Sequence, residues 1–141
     1  MNRIHKLDPD FLIACCLAPS EVAALTEPEI QSALRFMIAN LDGDLTVRKI
    51  TDEQNISRRT LELRFQKHLR CTVQKMLTRL RVTAATRLLR ETELSISDIS
   101  VDVGFSSPSR LSHALKRILA TTATEIRKSA PQKQQQFSEH Q

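Results

Sequence analysis

The chain carries one helical unit twice, and this repetition constrains its fold more than any other feature. Val47, Ile50 and Ile56 recur as Ile96, Ile99 and Phe105 at a shift of 49 residues. With one extra residue in the second turn, Leu61, Phe65, Leu69 and Thr72 recur as Leu111, Leu115, Leu119 and Thr122 at a shift of 50. Such self-similarity implies two copies of one supersecondary unit. The second copy is the plainer. Ser95 is placed to cap a short helix, Asp98 sits in its first turn, and Ile96, Ile99 and Val103 share a face. Gly104 supplies the left-handed position that reverses the chain. Ser107 caps the next helix and Pro108 opens it. Leu111, Leu115, Ile118 and Leu119 are predicted to form its buried stripe, with Ser109, Arg110, His113, Lys116 and Arg117 on the flank and far side. Two short helices about a tight turn, the second basic outside, are the sequence form of a helix-turn-helix.

The first copy follows the same plan. Leu45-Thr46 opens a helix running to about Glu53, Asn55 stands where Gly104 stands later, and Ser57 caps a helix over about 58–69. Leu61, Phe65 and Leu69 face inward, so Arg59, Leu63, Gln66 and Arg70 face outward, with Arg58 and Glu62 on the flanks. Between the copies, Thr72 starts a longer helix to about Glu91. Its apolar stripe is Val73, Met76, Leu77, Leu80, Ala84 and Leu88, and it spans roughly 30 Å. Arg81 and Arg87 on this helix are read as solvated or paired to acids.

The flanks add less. Thr26-Glu-Pro-Glu29 reads as a capping box that starts a helix with Ile30, Ala33, Leu34, Met37 and Ile38 on its apolar face. Thr122-x-x-Glu125 reads as another, starting a last helix with Ile126 inward. Phe11 to Leu17 suits a strand or a short helix. After Ser129 the tail is glutamine-rich and aperiodic, so it is expected to be disordered. Two glycines, no Trp or Tyr and few alternating β-branched runs point to an all-α fold with an aliphatic core.

Composition excludes several classes. No run approaches the ~18 apolar residues of a membrane span. FLIACCLA is short for a secretory leader, and Asp8 and Asp10 interrupt the approach to it. Three cysteines, two of them adjacent, make no disulfide framework. No second Cys or His pair stands at metal-ligand spacing from Cys15-Cys16, so both are read as buried small apolar residues. No metal or cofactor is expected. A net charge of +5 admits a polyanionic partner. Its placement says more, since residues 58–70 hold Arg58, Arg59, Arg64, Lys67 and Arg70 against Glu62 alone.

The segments LTVRKITDEQNISRRTLELRFQKHLRCTVQKML, RLRVTAATRLL and SISDISVDVGFSSPSRLSHALKRIL together resemble the paired helix-turn-helix domain of AraC/XylS-type transcription regulators, over roughly Pro28 to Lys128. Ile99 through Gly104-Phe105, the Arg81-x3-Ala85-x2-Leu88-Leu89 run and the closing Ile126-Arg127 carry the likeness most specifically. The chain departs from the family pattern at Arg70 and Ala120, where glycine is usual, and at Val73 and Ala123, where proline is usual. It departs again at Leu111 and Leu115, where aromatics are usual.

The resemblance implies a homeodomain-like, all-α fold of about seven helices, two helix-turn-helix units joined by a long linker helix. Its expected divisions are an N-terminal extension over 1–25, the edge or remnant of a sensing domain, then the DNA-binding domain over 26–129, then the tail over 130–141. The implied function is sequence-specific binding of double-stranded DNA, two recognition helices (about 58–69 and 108–119) entering successive major-groove segments. Family positions that reach bases fall on Arg59, Glu62, Leu63, Ser109, Arg110 and His113. Arg59 suits a guanine and Leu63 a thymine methyl. Phosphate contacts are expected from Arg58, Gln66, Lys67, Arg70, Thr72, Ser107, Lys116, Arg117 and Thr122, the hydroxyls among them serving first as helix caps. RNA polymerase is a further implied partner, and the setting is cytoplasmic and nucleoid-associated. One chain carrying two reading heads can occupy a site alone, although a dimer stays open. No segment the size of a sensing domain precedes Thr26, so regulation by abundance or a shortened relative of a longer regulator is expected. Two other readings compete. One is a degenerate module that binds a protein. The other is an enzyme using Cys71 with His68, around which no base-and-orienter set is visible.

Overall fold

Helix starts in this protein coincide with short polar side chains that can accept from the first free amides. In the structure, a computed structural model that describes residues 8–130, Asp8 caps α1 (Pro9–Cys16) by accepting from the Asp10 amide at 3.0 Å. A 3₁₀ helix (Pro19–Thr26) leads into α2 (Pro28–Ala39). Thr46 caps α3 (Val47–Gln54), Ser57 caps α4 (Arg58–Leu69), and Thr72 caps α5 (Val73–Glu91). Ser95, Ser107 and Thr122 do the same for α6 (Ile96–Asp102), α7 (Pro108–Leu119) and α8 (Ala123–Ser129). Among the described residues the fold is all helical. The seven expected helices are present, and Phe11–Leu17 resolves into the helical alternative as α1. The glutamine-rich tail from residue 131 lies outside the described residues, as do residues 1–7.

Two capping boxes differ from expectation. Thr26 ends the 3₁₀ helix, and the cap of α2 is Glu27, which makes no side-chain capping bond; Pro28 starts the helix instead through its fixed φ. At α8, Thr122 accepts from the Glu125 amide at 3.2 Å, but the Glu125 carboxylate accepts from the Thr121 hydroxyl at 3.0 Å rather than closing the box.

The linker helix α5 is the spine. Its buried residues Val73, Met76, Leu77, Leu80, Val82, Ala84, Ala85, Leu88 and Leu89 meet α1 and α4 from the first half and α6, α7 and α8 from the second. The N-terminal stretch belongs to this core, for Leu12, Ile13 and Leu17 are buried in the same cluster. There α1 lies against α5 and α2, while the 3₁₀ helix covers α2 and α4. The adjacent cysteines separate: Cys15 is exposed, which corrects its reading as buried, and Cys16 donates to the Met76 sulfur at 3.6 Å. Burial pushes the Cys16 thiol up to about 11.

Arg81 is neither solvated nor acid-paired. Its Nε donates to the Leu41 carbonyl at 3.2 Å, joining the spine to the loop between α2 and α3, and desolvation lowers its pKa. Arg87 does meet an acid, Glu91 one turn on.

Among the described residues, three that are not glycine hold left-handed backbone, Asn55 (φ 55°), Arg70 (φ 56°) and Ala120 (φ 54°). Arg70 and Ala120 close α4 and α7 where the family pattern has glycine, their amides bonding to the Gln66 and Lys116 carbonyls. The turn geometry is thus retained with a Cβ in a region that penalises one. Ala120→Gly is therefore expected to raise unfolding stability by about 1 kcal/mol. Urea denaturation would show this as a higher midpoint at unchanged slope.

Candidate nucleic-acid interface

Each helix-turn-helix buries one face of its second helix and leaves the other bare. On α4, Leu61, Phe65 and Leu69 are buried, while Arg58, Arg59, Leu63, Gln66, Lys67 and Arg70 are exposed. Leu63 is 59% exposed. On α7, Leu111, Ala114 and Leu115 are buried, and Ser109, Arg110, His113, Lys116 and Arg117 are exposed. Ile118 and Leu119, read as buried, are 37% and 45% exposed. The stripe narrows to Leu111, Ala114 and Leu115, and the last turn of α7 runs past the core.

The cations divide into two sets. Arg35 pairs with Asp10 at 2.5 Å, Arg64 with Glu29 at 2.5 Å, and Arg79 approaches Glu21 at 3.9 Å. Arg64, counted in the basic run of residues 58–70, is thereby neutralised by α2. Among the described residues, Arg59, Lys67, Arg70, Arg110, Lys116 and Arg117, all on α4 and α7 or at their C-termini, have no acidic partner. Arg48, Lys49, Lys75, Arg90 and Lys128 are likewise without one, spread over α3, α5 and α8. Each second helix thus carries three unmatched cations on or beside its outward face.

The hydroxyls expected at phosphate all act as caps. Ser107 accepts from the Arg110 amide at 3.2 Å, Thr72 from Lys75 at 3.1 Å, and Thr122 from Glu125 at 3.2 Å. Glu62, expected at a base, has a partner inside the protein. Its Oε1 accepts from the Val73 amide at 2.8 Å, and its Oε2 stands 3.9 Å from Arg58 Nε.

Two arginines that the sequence reading did not place at a site hold the frame. Arg81 is described above. Arg127 donates through Nε to the Leu89 carbonyl at 3.2 Å and through Nη2 to the carbonyls of Thr92, at 3.3 Å, and Leu94. The signal for both was their place in the most family-like segments. Burial of Cys71 raises its thiol pKa, which disfavours the thiolate an attacking cysteine needs. Among the described residues no three His, Cys, Asp or Glu side chains converge as a metal site would require, and no helix is long and apolar enough to cross a membrane.

Two capped helix-turn-helix units on one spine, each turning a basic helix face outward, define a paired helix-turn-helix domain. A helix-turn-helix domain family model matches residues 50–129. A putative AraC-like transcription regulator of Streptomyces antibioticus is 34% identical over 107 residues, 76% of this chain and 35% of its own length. An AraC-type transcriptional regulator structure from Chromobacterium violaceum superposes with a TM-score of 0.74 at 31% identity, covering 78% of this chain and 98% of that one. The DNA-binding domain of AdpA, solved in complex with a target DNA, shares the fold at a TM-score of 0.66 and 24% identity, covering 72% of this chain and 91% of that one. The chain belongs to the AraC-type helix-turn-helix family of transcription regulators. It spans about a third of the length of the curated relatives it matches.

Proposed function

We propose that this chain binds double-stranded DNA sequence-specifically and regulates transcription, α4 and α7 entering successive major-groove segments. The observation that carries the reading is the clustering of bare cations on the second helix of each unit. Three stand on or beside the outward face of each, whereas Arg35, Arg64, Arg79 and Arg87 meet acids and Arg81 and Arg127 meet carbonyls. Lys67, Arg70, Lys116 and Arg117, with Arg58 and Gln66, supply phosphate affinity, which depends on salt. Arg59 and Leu63 on α4 and Ser109, Arg110 and His113 on α7 face base edges. The 19 residues of α5 span roughly 28 Å at about 1.5 Å each, close to the ~34 Å between successive major-groove faces. Two heads on one spine let a monomer occupy the site in the nucleoid, with RNA polymerase as the partner that converts occupancy into regulation.

Selection of sites from a random duplex library at two salt concentrations tests this. Two short motifs about one helical turn apart, enriched at both salts, are expected. Binding without enrichment, lost at the higher salt, would reduce the interface to charge attraction. Arg59→Ala and Arg110→Ala should each relax preference at one or two base positions at a cost of about 1–3 kcal/mol, whereas Lys116→Ala should weaken all sequences alike and flatten the salt slope.

A further inference from the structure

We infer that Glu62 is a positioning residue: its carboxylate fastens the first recognition helix to the leading amide of the spine, and it reads no base. The Val73 amide is the first of α5, one of the donors that a helix cannot satisfy internally. Val73 itself is fully buried. Glu62 reaches this amide from the second turn of α4 at 2.8 Å, eleven residues back in sequence. One bond therefore sets the angle between recognition helix and spine. A carboxylate at a helix N-terminus is also stabilised by the helix dipole.

The second unit lacks the bond. The residues matching Glu62 and Val73 at the shift of 50 are Ser112 and Ala123. Ser112 is exposed, and no bond joins it to the Ala123 amide. The fastening is thus specific to the first head. It also assigns Thr72 to capping alone, since a phosphate at this terminus would meet the Glu62 carboxylate already seated there.

The geometry supplies its own test. Proline has no amide hydrogen, and Val73 occupies the first helical position, where proline is accommodated. Thr72 before it is extended (ψ 160°), as a residue preceding proline must be. Thermal unfolding would be followed for the native chain, Glu62→Ala, Val73→Pro and the double variant. Glu62→Ala alone is expected to lower the melting temperature by roughly 4 °C. In the Val73→Pro background the same change should cost less than half as much, the remainder being the exposed Arg58 contact. Equal costs in both backgrounds would overturn the assignment.

The part concerning bases rests on the DNA-binding reading and is measured separately. Glu62→Gln, which keeps an accepting oxygen, should leave the motif selected from a random duplex library unchanged. A changed preference at one base position would make Glu62 a reader and overturn the inference. If the native chain selects no motif, the DNA-binding reading fails, while the unfolding cycle still decides the fastening.

Discussion

Gly104→Ala is expected to destabilise the protein by more than about 4 kcal/mol, a large share of the whole stability of a domain this size. Two costs combine. The backbone at Gly104 has φ 97°, which L side chains rarely adopt. A Cβ there would also stand 2.0 Å from the Leu41 carbonyl oxygen and 2.7 Å from Arg81 Nε. The nearer obstacle is backbone, so no rotamer change relieves it. Gly43→Ala is the control. Its φ is 79°, but nothing lies within 4 Å of the added carbon, so only the conformational cost of about 1–2 kcal/mol should appear. Urea unfolding of the two variants side by side separates strain from collision. Similar losses would mean that the chain shifts to admit the methyl group at Gly104.

Arg127→Ala should cost about 3 kcal/mol. One guanidinium satisfies the carbonyls of Leu89, Thr92 and Leu94, where α5 ends and the chain turns toward α6. Leu89 is among the acceptors that a helix end leaves open, the other two lie where the chain leaves α5, and charged donors give the stronger bonds. Truncation leaves three carbonyls without the donor and removes the tie that α8 makes to the spine. Arg127→Lys should recover only part of the loss, because one ammonium cannot reproduce the planar fork. Denaturant midpoints for the three proteins would measure it. Full recovery by lysine would show that charge alone matters there.

These two sites mark the boundary of what the sequence displays. The repeat, the hydroxyl caps and the apolar spacing are local patterns, and from them α3 to α8 could be drawn to within a residue or two. Arg81, Arg127 and Glu62 act on partners 40, 38 and 11 residues away, beyond the reach of periodicity. Glu62 was expected at a base because α4 alone cannot show that the start of α5 comes within bonding distance. Ile118 and Leu119 failed for the converse reason. Their spacing fits a buried stripe, but whether a stripe is covered depends on neighbours from elsewhere in the chain. Arg64 stands on a helix dense in positive charge, and only the approach of α2 shows that Glu29 neutralises it. The bare cations of both recognition helices were legible, since an outer face needs no tertiary partner to be read.

The two units are covered unequally, and this bears on how each would meet a duplex. The first head is backed by α2 and the 3₁₀ helix and fastened by Glu62, so it presents a fixed shape. The second ends in a last turn whose apolar residues face solvent, and such segments open locally at small free-energy cost. A rigid head selects the duplex that already fits it. A head with a yielding end can follow differences in groove width and bending, and so respond to sequence it never touches. On the DNA-binding reading proposed above, the pseudo-symmetric pair would divide two modes of recognition between its halves.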